Sequence, residues 1–325
     1  MKSFKLLAMK LFPLALLTAA GPALAQAPYP THALQLVIPF PPGGATDIVG
    51  RLMAKALGDK LGQSVVADNR AGAGTIVGAG YVAKANPDGY TLLISSGTTF
   101  TVNPAIQPRL PYDPVKSFEP IGMIARTGLI LLANKDVAAG NPKEFVALAK
   151  AAPGKYAYAS FGTGTTSQFT GELVLRATGT QLVHVPYKGS APAMTDLIGG
   201  QVPFSVDTVA AAVPQLKAGK VKAIGVTTAK RSALLPNVPT FAESGYDIDA
   251  DTWIAVVAPR GLPAPVKMRL EKALADAVSV PSVRENLLAA GLEPQYTNGA
   301  GVAALIDKEL PVMRAIAARA NIRPE

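Results

Sequence analysis

Leu34-Gln35-Leu36-Val37-Ile38-Pro39-Phe40 runs directly into Pro41-Pro42-Gly43-Gly44-Ala45-Thr46-Asp47. The apolar run reads as a buried strand, and beyond the turn Ile48, Leu52, Ala56, Leu57 and Leu61 mark one face of a helix that stops at Gly62. The same order recurs downstream. Strand-like runs fall at 64–67, 91–95, 156–160, 182–185, 202–206, 221–226 and 253–258, with helical spacing at 142–151, 168–177, 192–198, 209–218 and 263–280. This rhythm predicts an α/β fold of mainly parallel sheets with helices on both faces. Such sheets bind ligands beyond the carboxyl ends of their strands, where loops lead into helix N-termini.

Four of those loops are rich in hydrogen-bond donors. In 41–47 two glycines let backbone N–H groups approach a ligand, and the helix start adds free donors and a positive dipole end. A tight turn capped by Thr46 or Asp47 would account for the same residues. Ser160-Phe161-Gly162-Thr163-Gly164-Thr165-Thr166-Ser167, before a helix starting near Gln168, offers small hydroxyls and glycines that can surround a carboxylate with neutral donors. Its plainer reading is a flexible turn plus an N-cap. Ser95-Ser96-Gly97-Thr98-Thr99 and Pro186-Tyr187-Lys188-Gly189-Ser190 follow the same grammar.

Composition narrows the function. The first 25 residues read as a secretory signal: Lys2, Lys5 and Lys10, an apolar stretch from Leu11 to Ala20, and a cleavage site at Ala23-Leu24-Ala25. The mature chain would begin near Gln26, exported across the cytoplasmic membrane, with length for two domains. The absence of cysteine excludes disulfides, thiolate catalysis and cysteine-based metal sites. The formal net charge of +9 falls by three without the leader lysines, and the remaining basic residues are scattered rather than blocked, so no nucleic-acid partner is expected.

Catalytic signals are missing. The chain has no GxSxG elbow, HExxH helix or phosphate-binding GKS/T loop. Gly72-Ala73-Gly74-Thr75-Ile76-Val77-Gly78 fits a dinucleotide pattern, but the run before it ends in Asp68-Asn69-Arg70 and Asp88 lies in a turn, so a close-packed loop and helix start is expected and no cofactor. Of the two histidines, His32 falls in a loose start and His184 inside an apolar run, where a structural role is expected. The chain is read as a binding protein, not an enzyme.

Tyr29-Pro30, Ile38 to Gly44 with Asp47 and Arg51, Asp68 to Gly74, Asn86-Pro87-Asp88-Gly89-Tyr90-Thr91-Leu92, Tyr112-Asp113-Pro114 and Val238-Pro239-Thr240 resemble the Bug family of the tripartite tricarboxylate transporter system. The resemblance implies a periplasmic binding protein with a two-domain Venus flytrap fold, in which two α/β domains joined by crossing strands close on an organic acid. That acid would be a di- or tricarboxylate, an acidic amino acid or an aromatic acid, delivered to two membrane subunits. One domain would comprise 26–127 plus 250–325 and the other 128–249, with crossings near 125–130 and 247–253, in a monomer. The resemblance assigns Pro41, Pro42, Gly43, Gly44, Asp47, Gly97 and Thr98 to the ligand from the first domain. From the second it assigns Ser160, Gly162, Gly164, Thr165, Thr166, Tyr187, Gly189 and Asp207. Asp47 or Asp207 facing the cleft would favour a ligand carrying an ammonium group. The chain departs from the family after Gly164: Thr165, Thr166, Gln168 and Phe169 stand where Ser and then His-Leu are frequent. A sensor input to a membrane kinase and an exported α/β enzyme are the alternatives.

Overall fold

The computed structural model describes residues 29–320 and residue 322; the leader expected at 1–25 lies outside the described residues. Strand β1 (Leu34–Ile38) buries every side chain except Gln35, as a strand covered on both faces must. It leads into α1 (Ala45–Leu61), which ends as the sequence indicates: Gly62 takes the left-handed conformation (φ 74°) and gives its N–H to Gly58. Next come β2 (Val65–Asn69), α2 (Ile76–Ala83), β3 (Thr91–Ser96), a π-helical turn over Thr98–Val102 and the short α3 (Asn103–Ile106). The long β4 (Phe118–Asn134) follows.

From there strands and helices alternate. They run α4 (Pro142–Ala151), β5 (Ala157–Ser160), α5 (Thr166–Thr178), β6 (Val183–Pro186), α6 (Ser190–Ile198), β7 (Phe204–Thr208), α7 (Val209–Lys217) and β8 (Val221–Val226). The chain closes with β9 (Asp251–Pro259), α8 (Ala264–Ser279), α9 (Pro281–Ala289), β10 (Glu293–Asn298) and α10 (Gly299–Ala320).

β4 organises all of this. Its first part, to Gly128, pairs antiparallel with β9, and β10 pairs its other edge; β9 continues to β3, β1 and β2. From Leu129 onward β4 pairs instead with β7 and β8, and β7 continues to β5 and β6. β1, β2 and β3 are parallel to one another, as are β5, β6 and β7, while β4 and β9 run antiparallel to their neighbours. Where β4 changes partners, Arg126 donates two hydrogen bonds (2.8 and 2.9 Å) to Asp251 of β9.

Each half packs helices on both faces of its sheet. Leu36 and Ile38 meet Met53 and Leu57 of α1 on one face, while Val37 and Leu93 meet Phe100 and Trp253 on the other. In the second half β4 itself alternates, Leu129 and Leu131 toward Phe145 and Phe204, Ile130 and Leu132 toward Leu197 and Val213. A smaller cluster joins the halves, with Phe169 of α5 against Val102, Ile106 and Ala317 of α10.

Two expectations need correction, and four elements were not anticipated. β4, β10, α9 and α10 carry no clear sequence signal; β4 contains Pro120, Gly122 and Gly128 and two register shifts that break its pattern. His32 is not loose, because its ring stacks on Tyr90 at 3.7 Å between centroids. The cap of α1 is neither Thr46 nor Asp47: Gly44 occupies that position and offers no side chain.

Candidate ligand-binding cleft

In the first half, the loop between β1 and α1 holds its shape through Asp47. From the third position of α1 its carboxylate reaches back to accept the Gly43 N–H (3.0 Å), and it also accepts from Arg51 Nε (3.1 Å) and Asn69 Nδ2 (2.8 Å). Asn69 in turn holds the Phe40 carbonyl (3.0 Å). Burial raises the Asp47 pKa, but the bonds from Arg51, Asn69 and Gly43 outweigh it and hold the carboxyl below its ordinary value. With Gly44 as the cap, the first N–H groups of α1 receive no side-chain cap, and Gly44, Ala45 and Thr46 border the cleft.

The second half faces it with three more helix starts. α5 is capped by Thr165, whose hydroxyl donates to the Gly162 carbonyl (2.6 Å). α6 begins after Gly189 (φ 116°), again without a side-chain cap. α7 is capped by Thr208, which accepts the Ala211 N–H (3.2 Å). The halves touch: Thr98 Oγ1 accepts the Thr166 N–H (3.1 Å) and donates to Thr166 Oγ1 (3.3 Å). A Cβ on Gly189 would stand 3.0 Å from Pro41 Cγ, so only glycine lets these loops meet so closely.

Between them lies an inner cavity of about 30 Å³, lined by the starts of α1, α5, α6 and α7 together with Ser96, Asp207, Thr252 and Ile254. Among the described residues no Lys or Arg lines it. Each helix start carries roughly half a positive charge, so the cavity favours an anion without a buried cation. Thr252 Oγ1 is buried with no hydrogen-bond partner, a polar atom for a bound molecule to satisfy.

Asp207 is the exception in this neutral, donor-rich lining. It is 1% exposed and accepts from Ser190 Oγ (2.5 Å) and the Thr208 N–H (2.7 Å). Burial pushes its pKa up to about 6 against the lowering effect of the Ser190 and Thr208 hydrogen bonds.

The structure sorts the residues singled out from sequence. Pro41, Gly44, Thr166, Gly189 and Asp207 line the inner cavity. Gly162, Thr165 and Tyr187, with Pro41 and Gly189 again, line a wider outer hollow of about 530 Å³. Gly97 and Thr166 face a third hollow beside Arg126 and Trp253. Pro42, Gly43, Asp47, Thr98, Ser160 and Gly164 line none of the three. Asp47 braces Gly43, Thr98 bridges the halves, and Gly164 gives its N–H to Gln168 Oε1 (2.7 Å). The Tyr187 hydroxyl is turned to Asp196 (2.7 Å).

Phe40, Thr208 and Thr252 also line the inner cavity without having been singled out from sequence, and Thr46, Phe161 and Ser190, from the donor-rich loops read there, line it too. Thr208, directly after Asp207 and before a helical run, carried a legible capping signal. Thr252 and Ile254 sit inside a strand and carried none.

Ser160 and His184 resemble a catalytic pair, 2.7 Å apart. The hydrogen bonds around them oppose that use. Gln168 Oε1 is occupied by the Gly164 N–H, so its NH2 is the group facing His184 Nδ1 (3.3 Å). Nδ1 therefore accepts and Nε2–H donates to Ser160, whereas a general base needs a lone pair there.

Two α/β halves shut over a cleft ringed by helix starts define a two-domain binding protein of the periplasmic type. The solved structure of Rpa4515 from R. palustris with adipate matches 91% of this chain and all of its own (100%), with a TM-score of 0.88 at 34% identity. MatC from Rhodopseudomonas palustris with bound malate matches 89% and 99%, with a TM-score of 0.84 at 31% identity. Protein BugT of Bordetella pertussis is 36% identical over 268 residues, 82% of either chain. The family model for the tripartite tricarboxylate transporter family receptor matches residues 49–322. The chain belongs to this receptor family.

Proposed function

We propose that this chain is an exported receptor that captures a small organic carboxylate between its two lobes, without turning it over, and delivers it to the membrane subunits of a tripartite tricarboxylate transporter. The observation that carries the reading is the convergence of four helix starts on one cavity free of cationic side chains among the described residues. A carboxylate there receives backbone N–H groups and small hydroxyls without the desolvation cost of a buried ion pair. The adipate and malate held by the two relatives support the ligand class. The lobes are 26–127 plus 250–325 and 128–249, with the leader removed near Ala25 and the mature protein a periplasmic monomer. Asp207 favours a second arm, ligands that also carry an ammonium group.

Thermal unfolding of the mature protein, stripped of ligand by refolding, tests this. A dicarboxylate, tricarboxylate, acidic amino acid or aromatic acid at about 100 times its Kd is expected to stabilise the fold by about 2.7 kcal/mol. The sole tryptophan, Trp253, sits beside Thr252 and gives a second readout by fluorescence. A response to none of these acids would sink the reading.

A further inference from the structure

Among the described residues that line the inner cavity, Asp207 alone carries a titratable side chain. At about 30 Å³ the cavity is small enough that a carboxylate group seated in it lies against Asp207. Asp207 already draws on the donors that attract the ligand: Ser190 Oγ at the start of α6 and the Thr208 N–H at the cap of α7 both donate to it. Among the described residues no cationic side chain reaches it, because the charged groups of the surrounding elements are turned elsewhere. Asp47 of α1 meets Arg51, and Arg126 of β4 meets Asp251 of β9. Asp196 of α6 and Glu172 of α5 accept from the hydroxyls of Tyr187 and Tyr158, and His184 of β6 is bonded to Ser160. Lys188 before α6, Arg176 of α5 and Lys217 of α7 are exposed.

We propose that a carboxylate captured in the inner cavity brings one proton with it, held between the ligand and Asp207, so that the receptor takes up acid and proton together. This rests on the carboxylate reading above and adds the charge state in which the ligand is held. Two carboxylates that share one desolvated site cannot both stay ionised at low cost, so the pair keeps a proton to well above the ordinary carboxylate range. The helix starts favour one negative charge at this spot, and the pair with its proton carries one. Ser190 can turn its hydroxyl to suit. With Oδ2 of Asp207 protonated, Ser190 Oγ accepts from it across the same 2.5 Å and donates into the cavity. Burial by itself raises Asp207 only to about 6, so at neutral pH the proton comes from solvent as the acid binds. Capture is then tightest in mildly acidic surroundings, and Kd rises about tenfold per pH unit above about pH 6. A ligand ammonium facing Asp207 would take the place of the proton.

Titration calorimetry of the full mature protein with malate, adipate, citrate, benzoate and L-glutamate, in buffers of different ionisation enthalpy, counts the protons bound. Each acid without an ammonium group that binds is expected to take up about one proton at about pH 7.5, and its Kd to weaken about tenfold from about pH 7 to about pH 8. L-glutamate is expected to take up none. Asp207→Asn is expected to take up none with any of the five and to bind with a Kd that is flat over the same range. Circular dichroism and the unfolding midpoint confirm that the variant is folded, and the wild-type proton count decides without it. Wild-type binding of malate, adipate, citrate or benzoate with no proton uptake overturns the shared proton and leaves the carboxylate reading standing. Uptake that persists in Asp207→Asn also overturns it, because the proton then rides on the ligand alone. So does binding of L-glutamate and none of the other four. Silence toward all five acids overturns both.

Discussion

On each side of the cleft a buried aspartate stands where a strand hands over to a helix, and the two are served by different neighbours. Asp47 is 4% exposed and meets a guanidinium, an amide and a backbone N–H. Asp207 is 1% exposed and meets only hydroxyls and a backbone N–H. The first is held below the ordinary carboxylate range and the second is raised to about 6. The charge of Asp47 is used to shape the loop that carries Phe40. That of Asp207 has no cation of its own and borders the inner cavity.

The comparison makes opposite pH signatures. Asp207 binds its proton more tightly in the folded state, so between about pH 4, the unfolded value, and about pH 6 the native protein holds more protons than the unfolded chain. Stability then falls as pH rises through that window, by up to about 3 kcal/mol at about 1.36 kcal/mol per pH unit. Urea unfolding of wild type and Asp207→Asn from pH 4 to 7 should show the variant gaining on wild type by this order. A difference between them that is flat with pH would break the contrast.

For Asp47 the sign reverses. Its native carboxyl lies below the ordinary value, so its stabilisation is present above about pH 4 and is lost as pH falls toward its folded pKa. Asp47→Asn should cost about 2 kcal/mol at pH 7, since Arg51 and the Gly43 N–H lose an ionised acceptor, and the cost should shrink in acid. Arg51 is half exposed and can turn to water, which keeps the figure modest. If the two variants diverged from wild type in the same direction with pH, the structural and cavity roles would not be distinct.

Sequence reading located the loops better than it ranked the residues within them. Pro41, Gly44, Gly189 and Asp207 stand out because glycine, proline and an acid at a strand end are local signals, and all line the inner cavity. Asp47 carries the same signals and lines none of the three hollows, because its direction depends on Arg51 one turn along α1 and Asn69 on β2. Phe40 and Phe161 look like ordinary loop hydrophobes until the lobes bring them together. β4 escaped because its partner changes midway, and its role depends on β7, β8 and β9 more than on its own pattern.

The smallest expected effect concerns the contact between lobes. Thr98 accepts the Thr166 N–H across the cleft and lines none of the three hollows. Thr98→Val keeps the shape and removes the acceptor, at a cost of about 1 kcal/mol to the shut state. That converts to roughly fivefold weaker ligand binding if capture draws on the shut population. Because Thr98 lies outside the inner cavity, such a loss would come through the equilibrium between open and shut lobes. Gly189→Ala supplies the contrast, since its Cβ would press on Pro41 and strain a backbone at φ 116°. An unchanged Kd in Thr98→Val alongside a weakened one in Gly189→Ala would place the energetics of capture in the cavity wall and assign none of it to the Thr98–Thr166 contact.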